Sequence, residues 1–207
     1  QEQENQDSTD EKSESQTADA EQVSSMDYEK LKQTFENKTE ITLTGNINNE
    51  SLSKVIKKIA SVTDVKSLDL SNLKNVTEVK LSDTVKVESL TVSGNETITK
   101  VEVQNNSSLK SINLSKSKVE TIDVNGCTEL TEIVLTSCDN LQKLDVSRTP
   151  ITKLDASNCE KLSSINCSSC DISELKIDGC KQLSDLNCAN NSLTRLDVSS
   201  FLLNSLE

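Results

Sequence analysis

The chain has 207 residues, seven cysteines, no histidine and three aromatic residues, and its formal net charge at pH 7 is −12. An acidic chain is a poor partner for nucleic acid or for an anionic membrane surface, so we expect it to bind neither. Histidine is the commonest general base and a frequent zinc ligand, and its absence disfavours catalysis and metal binding. We therefore predict a protein that is not an enzyme and holds no cofactor or metal.

Residues 1–25 carry eight acidic residues against one lysine and very few apolar side chains. Such a segment cannot bury enough apolar surface to offset the entropy of ordering, so we predict a disordered acidic spacer. The sequence contains no apolar leader and no run of about 20 apolar residues. The spacer is similar to the tether that follows a removed signal peptide, and we expect any membrane link to be a lipid anchor outside this chain.

Residues 26–64 are predicted to form an α+β N-terminal cap. Asp27 is placed to cap a helix over Tyr28–Glu36, apolar alternation predicts a strand over Glu40–Thr44, and apolar residues at helical spacing predict a helix over Glu50–Ala60. A stack of repeated units exposes its core and a strand edge at its first unit, which is why a cap is needed.

Residues 65–207 contain an apolar triplet, L-x-x-L-x-L, which recurs thirteen times at intervals of ten or eleven residues. A short fixed period is typical of repeat architectures, in which each unit buries its apolar face against its neighbours. The first members of the triplets are Val65, Val76, Val87, Ile98, Leu109, Val119, Leu130, Leu141, Ile151, Leu162, Ile172, Leu183 and Leu193.

Each unit is predicted to contain one short strand. Ile122 and Val124 flank Asp123, so the local period is two and the aspartate faces water. The residues after each strand are turn formers. Two units together span 21 or 22 residues, so we expect alternate strands to lie on opposite sides of each turn of the chain.

The extended pattern, seen over Leu141–Thr149 and Leu183–Asn191, resembles the leucine-rich repeat family, and the short units resemble those of internalin-like bacterial surface proteins. The resemblance implies an all-β-rich leucine-rich repeat solenoid of 21–22 residues per turn with two short parallel strands per turn. It also implies protein binding or adhesion by a secreted protein or lipoprotein at a cell surface.

The cysteines fall on repeat positions. Five occupy the slot that holds asparagine, serine or threonine in other units, and two replace a core aliphatic residue, which predicts buried free thiols. Disulfides between neighbouring strands and a metal or redox role for the C-x-x-C pair are less favoured alternatives. The slot cysteines are Cys127, Cys138, Cys159, Cys170 and Cys180, and the core cysteines are Cys167 and Cys188.

Two outward columns carry the polar positions. One holds Glu102, Asp123 and Asp145, whose open setting favours solvated carboxylates over a glycosidase pair. In the second column, most outward residues of the N-terminal half are Ser, Thr or Asn. In its C-terminal half, an exposed apolar residue lies among alternating charges. We predict that any partner contacts this second region. Its residues are Glu132, Val134, Lys153, Asp155, Glu174, Lys176 and Arg195.

The functional hypothesis is a non-enzymatic, extracytoplasmic module for protein–protein binding or adhesion, secreted or tethered to the cell surface. Two alternatives stay open. The chain is a structural spacer that displays another domain, or it is a carbohydrate-binding module that uses the carboxylate columns. A simpler account of the charged region is pairing between adjacent strands, Lys153 with Glu132 or Glu174 and Lys176 with Asp155 or Asp197.

Overall fold

The computed structural model describes residues 14–81, 84–199, 201 and 205–206. The N-terminal part contains two strands and three helices. In chain order these are β1 (Ser15–Asp19), α1 (Ala20–Ser24), α2 (Tyr28–Phe35), β2 (Glu40–Asn46) and α3 (Asn49–Ala60). After α3 the described residues form strands and turns without a further helix.

The rest of the described chain is a succession of short strands. A longer strand, β3 (Ser67–Lys74), comes first, and the last strand has two residues. The others have three residues each, which matches the short period-two segment of every unit. They are β4 (Glu78–Lys80), β5 (Ser89–Thr91), β6 (Lys100–Glu102), β7 (Ser111–Asn113), β8 (Thr121–Asp123), β9 (Glu132–Val134), β10 (Lys143–Asp145), β11 (Lys153–Asp155), β12 (Ser164–Asn166), β13 (Glu174–Lys176) and β14 (Asp185–Asn187), followed by β15 (Ser205–Leu206).

Successive strands alternate between sheets. One sheet has the order β1-β2-β3-β5-β7-β9, a second has the order β4-β6-β8-β10-β12-β14-β15, and β11 pairs with β13 in a sheet of two. All of these pairings are parallel. The molecule is thus mostly parallel strands in stacked sheets with few helices. This arrangement is compatible with the predicted repeat solenoid.

One continuous core lies between the sheets. The first members of the triplets are buried in twelve of the thirteen units, and Leu193 is half-buried. The last apolar position of each unit is buried as well, except at Cys188 and Val198 near the C-terminus. β15 pairs with β14 where a further, shortened unit is expected, with Ser205 opposite Asp185.

The predicted disorder of residues 1–25 is wrong for the residues from 14 onward, and residues 1–13 lie outside the described part. β1 pairs with β2 over its whole length, from Ser15 opposite Glu40 to Asp19 opposite Thr44. The polar composition conceals Ala20 and Val23, which α1 places in the core with no exposed surface. The predicted cap therefore begins at β1 rather than at residue 26.

The other cap elements are confirmed. Asp27 accepts a hydrogen bond from the Lys30 amide at the start of α2, and α3 buries the apolar face that the sequence predicts. Lys58 is more than part of a solvated helix face, because its Nζ donates to the carbonyls of Ser24 and Met26 at 2.7 and 2.9 Å. This cation at the C-terminal end of α1 ties the first helix to α3.

Two features recur in the described turns that follow the three-residue strands. The last strand residue is often Asp or Asn, and its Oδ1 accepts from the backbone amide two residues later, as Asn113 does from Ser115 at 3.0 Å. Three residues after the strand, the backbone is left-handed, as at Gly94 with φ of 69° and Asn105 with φ of 57°. Lys116, Ser137, Arg148 and Ser169 adopt the same conformation at the equivalent position, so these turns impose positive φ even on residues that do not favour it.

Gly94→Ala isolates the cost of this backbone conformation. A Cβ at position 94 meets no atom within 4 Å, so the substitution creates strain without a clash. We expect the free energy of unfolding in urea to fall by about 1–2 kcal/mol. Gly94→Asn is the matched control and should cost less, because asparagine tolerates positive φ and occupies the equivalent position at Asn105, Asn158 and Asn190. Equal losses for the two variants would contradict the conformational explanation.

Candidate binding wall

The structure places six of the seven predicted binding residues on three strands. Glu132 and Val134 lie on β9, Lys153 and Asp155 on β11, and Glu174 and Lys176 on β13. We call the outer faces of these three strands the C-terminal wall. The register puts Lys153 opposite Glu174 and Asp155 opposite Lys176, so the structure does bring these four charges together.

Arg195 does not join the wall. The strand predicted for its unit is absent, and residues 195–198 have no regular structure. Arg195 instead lines a separate hollow beside Cys188 and Asn191. Arg195 is therefore not on a paired strand of the wall, and its role in binding stays a prediction.

Charge pairing on the wall centres on Glu174. Its carboxylate lies 3.3 Å from Lys153 Nζ and 3.1 Å from Lys176 Nζ. The pair between Lys153 and Glu174 was predicted. Lys176 pairs with Glu174 on its own strand instead of with Asp155 or Asp197. Hydrogen bonds from Lys176 and then Lys153 hold the pKa of Glu174 below its usual value. With the side chain of Lys153 75% exposed, these contacts are screened by solvent and orient the side chains more than they stabilise the fold.

The wall is interrupted between β9 and β11. On the β7 side of β9, the Leu114 amide donates to the Val134 carbonyl at 3.0 Å, and beyond β11 the Ala156 amide donates to Lys176 at 2.9 Å. The equivalent bond between the two strands would run from the Leu135 amide to the Asp155 carbonyl. Neither that bond nor any other ladder bond joins β9 to β11, although residues 84–199 are all described.

Pro150 offers a local reason for the interruption. It is the single proline of the chain and lies in the turn that leads into the β11 unit. In the next two turns the equivalent residues, Asp171 and Ser192, donate their amides to the carbonyls of Ile151 and Ile172 at 3.2 and 2.9 Å. Proline has no N–H, so the β11 turn cannot make this bond. The bond is not common to all paired strands, because Ser108 and Glu129, at the equivalent positions before β7 and β9, make no main-chain bond of this kind among the described contacts. We therefore treat Pro150 as a hypothesis for the cause, which substitution tests. The sequence contained this signal, but our prediction of a continuous ladder did not use it.

The interruption leaves an opening of about 370 Å³ between β9 and β11. This volume is within the usual range for ligand sites, near its lower end. Its polar groups are two carboxylates, three hydroxyls and an amide, and its apolar groups belong to β9 and the residue that follows it. Ile133 is half-buried here, whereas the equivalent Ile112 and Leu154 are 1% exposed. The lining residues are Ile133, Val134, Leu135, Thr136, Ser137, Asp139, Asp155, Ser157 and Asn158.

The other carboxylate column has a structural task. Asp123 accepts from the Asn125 amide at 3.0 Å, and Asp145 accepts from the amide and hydroxyl of Ser147. Asn166 makes the same pair of bonds to Ser168, so an amide serves as well as a carboxylate. Since these side chains close turns on an open strand face, they form no cleft that favours acid–base catalysis.

All seven cysteines are free, and six are buried, as predicted. Burial raises the pKa of Cys127 and Cys159 to about 11 and that of Cys138, Cys167 and Cys180 to about 12. In the slot, the thiols of Cys127, Cys138, Cys170 and Cys180 donate to carbonyls two units back at 3.1–3.2 Å. Cys159 has no such bond among the described contacts, because its acceptor would be the Leu135 carbonyl across the opening.

No protein-family model matches the chain, and no curated protein is similar enough to serve as a relative. The resemblance to leucine-rich repeats therefore depends on the residues of this chain alone. None of the helices in the described residues is long and apolar enough to cross a membrane. Within the same residues, Cys, Asp and Glu do not gather in groups of three or more that would hold a metal ion.

Alkylation of the native protein tests the thiol environments. Cys188 is partly exposed, whereas the other six are buried, so it should react first. Cys159 should react next, faster than Cys138 and Cys180 at the same repeat position, because no ladder bond joins the β11 unit to the β9 unit. The rates are read by mass spectrometry of peptides after brief labelling at pH 8, with labelling of all seven cysteines in urea as the control. Equal protection of Cys138, Cys159 and Cys180 would contradict the interruption.

Pro150→Asp tests the cause of the opening. Aspartate restores an amide and is the residue that Asp64 and Asp171 place in the equivalent turns. We expect β11 to approach β9 and the labelling rate of Cys159 to fall to that of Cys138 and Cys180. The matched control is Asp171→Pro, which removes the equivalent amide from the next turn and should accelerate labelling of Cys180. If Pro150→Asp leaves the rate of Cys159 unchanged, proline is not the cause.

Proposed function

We propose that the chain is a leucine-rich repeat solenoid that binds a protein partner through its C-terminal wall and has no enzymatic activity. The observation that carries this proposal is the interruption between β9 and β11, which breaks an otherwise regular sheet at the residues where the sequence departs from its repeat. A structural spacer has no need of such a break, whereas a binding surface needs a feature that distinguishes one position from the next.

The charges of the wall support a protein partner. Lys153, Glu174 and Lys176 are exposed and held in a fixed pattern by the register of β11 and β13. Patterned charges at the rim of an interface steer association and select the partner more than they add to affinity. The half-buried Ile133 and Val134 supply the apolar centre that such a rim surrounds.

The location is also a proposal. The resemblance to bacterial surface proteins and the acidic N-terminal segment support an extracytoplasmic module, secreted or tethered to the cell surface. Five buried thiols with raised pKa values are compatible with an oxidising compartment, because the thiolate is the reactive form and the fold disfavours it.

The carbohydrate-binding alternative receives less support. It relied on the column of Glu102, Asp123 and Asp145, and two of these side chains are engaged in closing turns. Its remaining basis is the group of hydroxyls at the opening, which a glycan array would test. Strong binding of any glycan, lost on substitution at the opening, would favour this alternative over a protein partner.

Charge reversal on the wall tests the proposed function. The double variant Lys153→Glu/Lys176→Glu should reduce capture of surface proteins from bacterial or host-cell extracts by about fivefold or more. Lys143→Glu is the matched control, since Lys143 is an exposed lysine on β10 of the other sheet and should leave capture unchanged. Capture is quantified by mass spectrometry with the immobilised full chain. Equal capture by the unmodified protein and both variants would contradict binding of a protein partner through the C-terminal wall.

A further inference from the structure

The opening presents main-chain groups that have lost their expected partners. By the register of the neighbouring units, the amide of Thr152 would donate to the Thr131 carbonyl, as Ser173 donates to Thr152 at 2.9 Å beyond β11. The amide of Leu135 would likewise donate to the Asp155 carbonyl. Both edges of the opening therefore carry main-chain donors and acceptors, and an extended polypeptide supplies the same two groups at each residue.

The side chains at the opening have one sign of charge. Asp139 and Asp155 line it, and no lysine or arginine is among its lining residues, all of which are described. Lys176 lies opposite Asp155 in the register, but its Nζ is 3.1 Å from Glu174. The partly exposed Ile133 and Val134 lie beside these carboxylates. Such a site fits a side chain with an aliphatic stem and a cationic end, which describes lysine and arginine.

We propose that the opening between β9 and β11 binds an extended segment of the partner protein, with a lysine or arginine side chain directed at Asp139 and Asp155. The inference rests on the proposed function and names the chemistry of its partner. The segment adds to an exposed strand edge, and the main-chain bonds give affinity while the carboxylates give specificity. The net charge of −12 adds long-range attraction for a basic segment.

Asp155 also allows a substitution that leaves the turn intact. Its Oδ1 accepts from the Ser157 amide at 3.0 Å, a bond that asparagine makes in the equivalent turns at Asn113 and Asn166. Asp155→Asn thus removes the charge and keeps the fold. Asp123→Asn is the matched control, because Asp123 makes the same turn on the other sheet, away from the opening.

The test uses pools of fluorescent octapeptides with a fixed central residue and mixed Thr, Val, Ser and Ala elsewhere. We expect the pools centred on lysine or arginine to bind the full chain at least about tenfold more tightly than those centred on glutamate or norleucine. N-methylation of the peptide backbone next to the centre should abolish this binding, because it removes a strand hydrogen bond. Affinities are read by fluorescence polarisation at low and moderate salt.

Substitutions in the protein test whether the peptides bind at the opening. Asp155→Asn and Asp139→Asn should each weaken binding of the lysine pool about five- to tenfold, with Asp123→Asn unchanged. Pro150→Asp should weaken it too, by closing the opening. No preference for basic pools, or equal affinity for Asp155→Asn and the unmodified protein, would overturn the inference. If the peptide experiments give either of these results while charge reversal at Lys153 and Lys176 still reduces capture, the proposed function stands and only the peptide-binding inference fails.

Discussion

The structure depends on main-chain hydrogen bonds between strands that lie two units apart in the sequence. A three-residue strand is too short to be stable by itself, so each one is held by at least one parallel neighbour. The bonds from Val124 to Asp145 and from Val146 to Asn166, both 2.9 Å, are examples from the continuous sheet. The apolar triplets bury a shared core between the sheets, but the register of the strands decides which side chains reach the surface.

The slot at each turn shows how the same constraint is met by different residues. Asn95 donates to three carbonyls and accepts from two amides, so one side chain closes the turn and links it to the unit before. A cysteine in this slot makes one such bond, as Cys138 does to the Leu114 carbonyl. A slot cysteine therefore makes fewer of the bonds that asparagine makes there. The raised pKa values of Cys127, Cys138, Cys159 and Cys180 follow from burial in this slot.

The sequence predicted the repeat, the short strands and most of the cap because each rests on a local pattern. The spacer over residues 14–25 was misjudged because composition averages over a segment, whereas Ala20 and Val23 needed only two apolar contacts and the edge of β2. The charged residues of the wall were predicted, but the interruption between β9 and β11 was not. The charges follow from strand alternation, but the lack of pairing between β9 and β11 does not, because the apolar repeat continues through both strands without a change. The strand predicted around Arg195 is also absent, although the apolar period continues through that unit.

Amide hydrogen exchange of the unmodified protein tests the central claim most directly, because it reads the ladder bonds one residue at a time. Leu114 and Ala156 occupy the position in their units that Leu135 occupies in its own, and their amides donate at 3.0 and 2.9 Å. The account predicts that Leu114 and Ala156 are protected while Leu135 exchanges rapidly. Equal protection at all three amides would mean that β9 and β11 are paired, and the opening would not exist.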